Sequence, residues 1–303
     1  MNDSPQPATP PSSSVPRRLI REAAIQLLHS SIAQGEKREE AGDPWPLILA
    51  QPRAKITRLR ARAILHQQQN RPSRSKVVLT TRANTLTLIQ TFIDERKAQK
   101  FYRSLCSVEE SFPESFDLLR RQLKSEKEPE TIEATVERIQ EQNTTALESL
   151  EALIEIFGPV DASPEPLRPL VKSLAPLRET AKTLKQLFSS TPPDLRELQS
   201  LHEAIAEHDS LKSEAEQLHN LTLEHLKSTD KLIADKLENF SPERLGQVDR
   251  NVLRVAATEL HHCPEIPSAV SINEAIEIVR RFGDTESSSF VNGILDKLAP
   301  EKE

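Results

Sequence analysis

The chain has 303 residues, a formal net charge of −6, 28% charged side chains, six glycines and 4% aromatics. A mixture dominated by Leu, Ala, Glu, Gln, Lys and Arg predicts an all-α fold and excludes a sheet-rich one, and the length suits one large domain or two modest ones. Cys106 and Cys263 make no disulfide framework, no apolar run approaches the roughly 20 residues of a membrane span, and the first residues lack the apolar core of a secretory leader. The expected setting is therefore the cytoplasm. Residues 1–16, with five prolines among Ser and Thr, are predicted to be a disordered tail, and residues 300–303 a second short one.

From Arg17 the pattern turns helical: Ile20, Ala24, Leu27, Leu28 and Ser31 fall on one stripe, with Arg18 and Arg21 side by side at its edge. After Gly35 comes an irregular, Pro-containing stretch around Trp45. Residues 51–84 then hold nine Lys or Arg and no Asp or Glu, whereas from Ser107 to Pro159 acids outnumber bases thirteen to five. Such a basic block can hold a phosphate backbone on a chain that is anionic overall, or it can be a solvated, flexible loop that serves solubility; both readings stay open. Residues 85–124 read as helical with an interruption near Pro113.

Two seams follow. Ile132, Val136, Ile139, Asn143, Ala146, Leu150, Leu153 and Phe157 alternate at spacings of four and three over about four heptads, with Asn143 polar among them. The breaker FGPVDASPEP ends that helix. Leu167, Leu170, Leu174, Leu177, Ala181, Leu184 and Phe188 form the second seam, in which Pro169 and Pro176 predict a first half that is kinked or only partly helical. Residues 129–190 thus read as an antiparallel helical hairpin, either a docking arm or two helices packed on each other or on the rest of the chain.

Residues 195–238 are again helical. Ser241-Pro242-Glu243 offers an N-cap, a proline at N1 and a first-turn acid, opening a helix with Leu245, Val248, Val252, Val255, Ala256 and Leu260 buried. Ser271-Ile-Asn-Glu274 fits a capping box for a helix with Ile272, Ile276, Val279 and Phe282 inward, and Gly283 suits a left-handed close. The last helix carries Phe290, Val291, Ile294, Leu295 and Leu298. Asn292-Gly293 suggests a close helix–helix approach. Arg254, Glu259, Asn273 and Glu274, on helices with wide apolar faces, are expected to pair between helices.

Catalytic signatures are missing: there is no P-loop, no dinucleotide glycine motif and no HExxH, so no enzyme activity, cofactor or metal is expected. His261-His262-Cys263 lacks zinc-ligand spacing and reads as a helix end.

The ordered set Arg244-Leu245, Asp249-Arg250, Leu253-Arg254, Glu259-Leu260, Ile266-Pro267, Val270, Ile272-Asn-Glu-Ala275, Phe282-Gly283 and Phe290-Val-Asn-Gly-Ile-Leu-Asp-Lys297 resembles the C-terminal signature of the NusB family. The stretch at Arg21, Glu22, Ala24, Gln26 and Leu28 resembles that family's arginine-rich first helix, with Leu19 where another arginine is usual and His29 where tyrosine is usual. The resemblance implies a NusB-like helical bundle of two helical subdomains, built from residues 17–34 and 194–299. Residues 35–193 would be an inserted helical, coiled-coil-like region.

The resemblance also implies a transcription antitermination factor that binds single-stranded boxA-type leader RNA of ribosomal RNA operons together with NusE, a small-subunit ribosomal protein. Other Nus factors and RNA polymerase would be reached indirectly. The RNA-binding candidates are Arg17, Arg18, Arg21, Arg280, Arg281, Phe282, Glu286, Ser287, Ser289 and Phe290: arginines for phosphates, rings for stacking, and a helix N-terminus that attracts anions. His29, Glu243 and Arg244 are candidates for the NusE-facing surface. One rival reading is a diverged NusB-fold scaffold whose insertion binds protein and whose RNA binding is weak or non-specific. Another is the RNA-binding domain fused to some ribosomal-RNA methyltransferases, not expected here because no methyltransferase sequence follows Glu303.

Overall fold

The structure is a computed structural model that describes residues 15–36, 43–69, 82–93, 96–125, 127–237, 245–283 and 287–300. The tails expected at residues 1–16 and 300–303 lie largely outside these, as do residues 70–81 of the basic block, Ser241-Pro242-Glu243, Arg244 and Glu286. The described residues form helices and no strand, the all-α fold that the composition dictates.

Twelve α-helices are described: α1 (Arg17–Glu36), α2 (Trp45–Ile48), α3 (Ala50–Gln69), α4 (Arg82–Phe92), α5 (Arg96–Lys124), α6 (Pro129–Phe157), α7 (Arg168–Gln186), α8 (Gln199–Glu224), α9 (Leu226–Lys236), α10 (Gln247–His262), α11 (Ser268–Phe282) and α12 (Ser287–Leu298). The chain divides into two compact units, one of residues 1–51 and 206–303, the other of residues 52–205. Trp45 and Ile48 pack with the core of the first unit, so the segment around Trp45 goes with α1.

In the first unit, α1 lies against α10 and α11, and α10 also packs on α9 and α12. Its core includes Ala24, Leu28, Leu253, Val279, Val291 and Leu295, all fully buried. Three local expectations are corrected here. Helix α11 starts at Ser268 behind Pro267, so Ser271 is a buried first-turn residue and not an N-cap. Helix α10 starts only at Gln247, with Gly246 as its N-cap, and Val248 on its first turn is exposed. Gly293 faces open space, so it brings no helices together, and Asn292 donates to Asp296 Oδ2 on its own helix at 3.0 Å.

The second unit has its own core. Every residue of the first seam is buried, and Asn143 donates Nδ2–H to the Ala181 carbonyl of α7 at 2.9 Å. A seam amide placed this way ties α6 to α7 in one register. Helix α6 also packs along α5, so the α6–α7 pair is half of a bundle and not a free arm. Neither interior proline breaks its helix. Helix α5 runs through Pro113 and α7 through Pro176. Beside Pro113, Phe112 and Phe116 are buried with stacked rings 5.4 Å apart, and burial of two such side chains offsets the roughly 3 kcal/mol that an interior proline costs. Nor is the basic block simply a loop: its first part is α3, with Thr57, Ala61 and Ile64 buried.

Candidate nucleic-acid interface

Helices α1 and α11 bring the two predicted arginine groups together. On α1, Arg18 and Glu22 stand one turn apart; on α11, Glu274 and Arg281 stand two turns apart. Arg18 Nε donates to Glu274 Oε2 at 2.8 Å, and Arg281 Nη1 donates to Glu22 Oε1 at 3.2 Å. Arg280 turns to Glu277 Oε1 at 2.6 Å on its own helix. The arginines at the last turn of α11 also suit the negative end of the helix dipole. Hydrogen bonding to Glu274 and its charge, with Glu277 and Glu22 nearby, push the Arg18 guanidinium above its ordinary value, so it stays cationic.

The result is a polar ridge of alternating signs and not an open cationic groove. Arg280 and Arg281 remain accessible, at 62% and 61% side-chain exposure. Arg17 is exposed as well. Each paired guanidinium still has donors beyond its one ion pair, and a phosphate that takes them must compete with a glutamate.

Arg21 is placed differently from the sequence expectation. It is not at the edge of the α1 stripe but inside it, with Nε on Glu259 Oε2 at 2.8 Å and only 3% of either side chain exposed. Spacing could have shown this, since Arg21 precedes Ala24 and Leu28 by three and seven residues on the same face. A charge buried this deeply is held by its counter-charge, so Arg21 is an internal strut joining α1 to α10, unable to reach a ligand on the outer surface. Arg254 makes a second interhelical link, to Asp230 of α9 at 2.7 and 2.8 Å, and Glu274 makes a third through Arg18. Asn273 is exposed.

Phe282 is another correction: predicted inward, it is 47% exposed, with the Arg281 guanidinium 4.9 Å from its ring centroid. A helix end facing solvent allows this, and the ring is free on one side for stacking. Phe290 is partly buried against the core. Ser287 and Ser289 lie in the first turn of α12, Ser289 exposed.

Gly283 is extended (φ −94°, ψ −176°), not left-handed. Its lack of a side chain has another cause. A Cβ there would lie 2.8 Å from both Asp249 Oδ1 and the Val279 carbonyl oxygen. Asp249, a buried carboxylate of α10, thus sits directly under the turn that leads from α11 to the α12 loop. In the sequence Asp249 stands out only as one residue of the motif it shares with Arg250.

A second surface adjoins Phe282. Glu22, Ile25, Gln26 and His29 of α1, Leu47 of α2, Val248 and Asn251 of α10, and Ile278 and Phe282 of α11 line a largely apolar groove of about 360 Å³. Leu47 is 82% exposed at its rim, and His29 is exposed. This gathers His29 with apolar side chains that sequence reasoning did not connect, because they come from four separate helices.

The histidine–cysteine cluster is a helix end. Helix α10 stops at His262, whose ring stacks on His225 with centroids 3.7 Å apart. Burial and the nearby Glu265 and Glu259 push the Cys263 thiol up to about 11, unsuited to nucleophilic work at neutral pH. Among the described residues no group of His, Cys, Asp and Glu could hold a metal ion, and no helix is long and apolar enough to cross a membrane.

The sequence model of the NusB family matches residues 177–300. The chain is similar to the transcription antitermination protein NusB of Citrifermentans bemidjiense, 46% identical over 85 residues, which are 28% of this chain and 59% of that protein. It is 45% identical over 92 residues to NusB of Geotalea daltonii, covering 29% and 63% of the two chains. With NusB of Trichlorobacter lovleyi it shares 42% identity over 101 residues, 33% of this chain and 71% of that one. The match thus spans about 60% of the first two relatives' length. No solved structure matches the chain. A family of antitermination proteins is not one of enzymes, and with the Trichlorobacter protein covered over most of its length, the chain belongs to the NusB family.

Proposed function

We propose that this protein is an RNA-binding antitermination factor that recognises boxA-type single-stranded leader RNA of ribosomal RNA operons and acts there with NusE. The observation that carries this reading is the meeting of α1 and α11, which puts Arg18, Arg280 and Arg281 with the exposed face of Phe282 on one side of the first unit. Arginines supply salt-sensitive phosphate contacts, the ring supplies a stacking platform, and Ser287 and Ser289 offer hydroxyls at the start of α12. Glu22, Glu274 and Glu277 temper the charge, so RNA binding alone is modest and gains from a protein partner. The apolar groove beside His29 is the surface proposed for NusE, its chemistry being that of an interface centre rimmed by polar groups. No catalytic step is involved, and other Nus factors and RNA polymerase are reached through this complex.

Fluorescence anisotropy with boxA leader RNA and a scrambled RNA, each with and without NusE, tests the reading. Preference for boxA that strengthens with NusE is expected; equal affinity for both RNAs under both conditions would overturn it. The glutamate pairing of Arg18, Arg280 and Arg281 favours one alternative, a protein-binding scaffold with weak RNA affinity, and that equal-affinity result is its signature.

A further inference from the structure

The basic block plays no part in the site above. Helix α3 turns Thr57, Ala61 and Ile64 into the core of the second unit. Gln51, Lys55, Arg58, Arg62, His66 and Gln69 are all exposed and follow one another at spacings of three or four, which puts them on a single stripe opposite the buried one. Neighbours in such a row stand about 5–6 Å apart. Arg58 and Arg62 have no ion-pair or hydrogen-bond partner among the described residues. Arg60 by contrast is turned inward: its Nη2 reaches the Ser189 carbonyl at 3.4 Å, and burial lowers its pKa. Of the acids near this helix, Glu197 meets His66 at 3.3 Å and Glu133 faces Arg60.

We infer that the Lys55–Arg58–Arg62 stripe of α3 is a second, sequence-independent contact for RNA phosphates. The inference rests on the RNA-binding reading and adds a grip supplied by the second unit's own helix. Three features select a nucleic-acid backbone. The stripe itself holds only Gln, Lys, Arg and His, and the apolar pocket that Leu59 and Leu195 line beside it reaches Arg62 and His66 but not Lys55 or Arg58. The large apolar residues of α3 are buried or half-buried, and Ala61 and Ile64 fully buried, so no large exposed apolar side chain stands ready to insert into a lipid surface. A row of cations at regular intervals, free of acids from residue 51 to 84, matches a polymer of regularly spaced phosphates.

The test uses the full chain and a labelled RNA of thirty uridines, which contains no leader element, titrated between 50 and 200 mM KCl. Arg58→Gln/Arg62→Gln and Arg280→Gln/Arg281→Gln are compared with wild type, and circular dichroism verifies that both remain folded. Losing two phosphate contacts lowers the salt exponent by about 1.4, so the drop in affinity across that fourfold range shrinks about sevenfold. A wild-type exponent in the Arg58/Arg62 variant, with loss in the Arg280/Arg281 variant, overturns the inference and leaves the α1–α11 site standing. The opposite pattern, joined to no preference for boxA, supports the α3 contact and removes the proposed site. Unchanged RNA binding with loss of flotation on phosphatidylserine vesicles, or of self-association by light scattering, assigns the stripe to another partner and overturns the inference. Failure of the wild type to bind this RNA at 50 mM overturns the inference, while boxA recognition is decided by the anisotropy comparison with NusE.

Discussion

Replacing Arg21 by Leu separates a structural role from a ligand-binding one. The substitution keeps the apolar stem but removes the guanidinium that meets Glu259 at 2.8 Å, where each side chain is only 3% exposed. Glu259 is then a buried carboxylate without its counter-charge, and breaking a buried pair from one side costs about 3–5 kcal/mol. Domains have total stabilities of about 5–15 kcal/mol, so a large share of the first unit's stability is at stake. At about 2–4 °C per kcal/mol for a unit of this size, its melting transition should fall by roughly 6–20 °C.

The double variant Arg21→Leu/Glu259→Met removes both charges at similar volume and should recover most of the loss, since well-packed apolar pairs often match or exceed buried ion pairs. Thermal unfolding followed by circular dichroism measures all three proteins. With two separate cores the trace can show two transitions, and only the one carrying α1 should move. RNA affinity of the folded double variant should stay near wild type. If the single substitution leaves the transition in place but abolishes RNA binding, Arg21 reaches the ligand and the buried-strut argument is wrong.

Three further outcomes are expected. Glu22→Gln releases Arg281 from its partner and reduces competition with phosphate, so RNA affinity in anisotropy titrations should rise, together with a steeper salt dependence; unchanged binding would argue against Arg281 as a contact. Gly283→Ala places a methyl group 2.8 Å from a backbone carbonyl that cannot swing aside, which should cost about 1–3 kcal/mol in urea denaturation. Burial, joined for His262 by neighbouring His225 and His261, depresses His219 and His262 below the ordinary histidine value. The native state therefore binds fewer protons than the unfolded chain just below that value, so this stability is complete above about pH 6.5 and is lost as pH falls through the lowered folded pKa. His262→Gln should flatten the decline of melting temperature between pH 7 and 5, and an unaltered slope would contradict this.

Much of the fold was legible because helical periodicity is a local property. The two seams, the α1 stripe and the final helix bury most of the positions that their spacing selects, with Ser31, Phe188 and Phe290 only partly covered, since each face is set by neighbours three and four residues away. Pro113 misled, since α5 runs on through it, and α7 likewise stays helical through Pro176, the local cost being outweighed by packing from other helices. Cap signals misled around Ser271 and Gly283 for a related reason: Pro267 starts the helix earlier, and a carboxylate from α10 dictates the glycine. The basic block could be read only as a composition, because its buried stripe of Thr57, Ala61 and Ile64 is sparse.

By itself the sequence determined that the chain is helical, where most helices lie, which faces they bury, and that its C-terminal part carries the NusB signature. Tertiary structure alone decided which charge meets each arginine. Arg18 and Arg21 stand three residues apart on one helix, yet one lies at the surface opposite Glu274 and the other is sealed against Glu259, partners 256 and 238 residues away. Helical spacing encodes the direction in which a side chain points, but the charge that meets it there comes from a distant segment. The field at the site is the sum of those meetings, so it exists only once the helices are assembled.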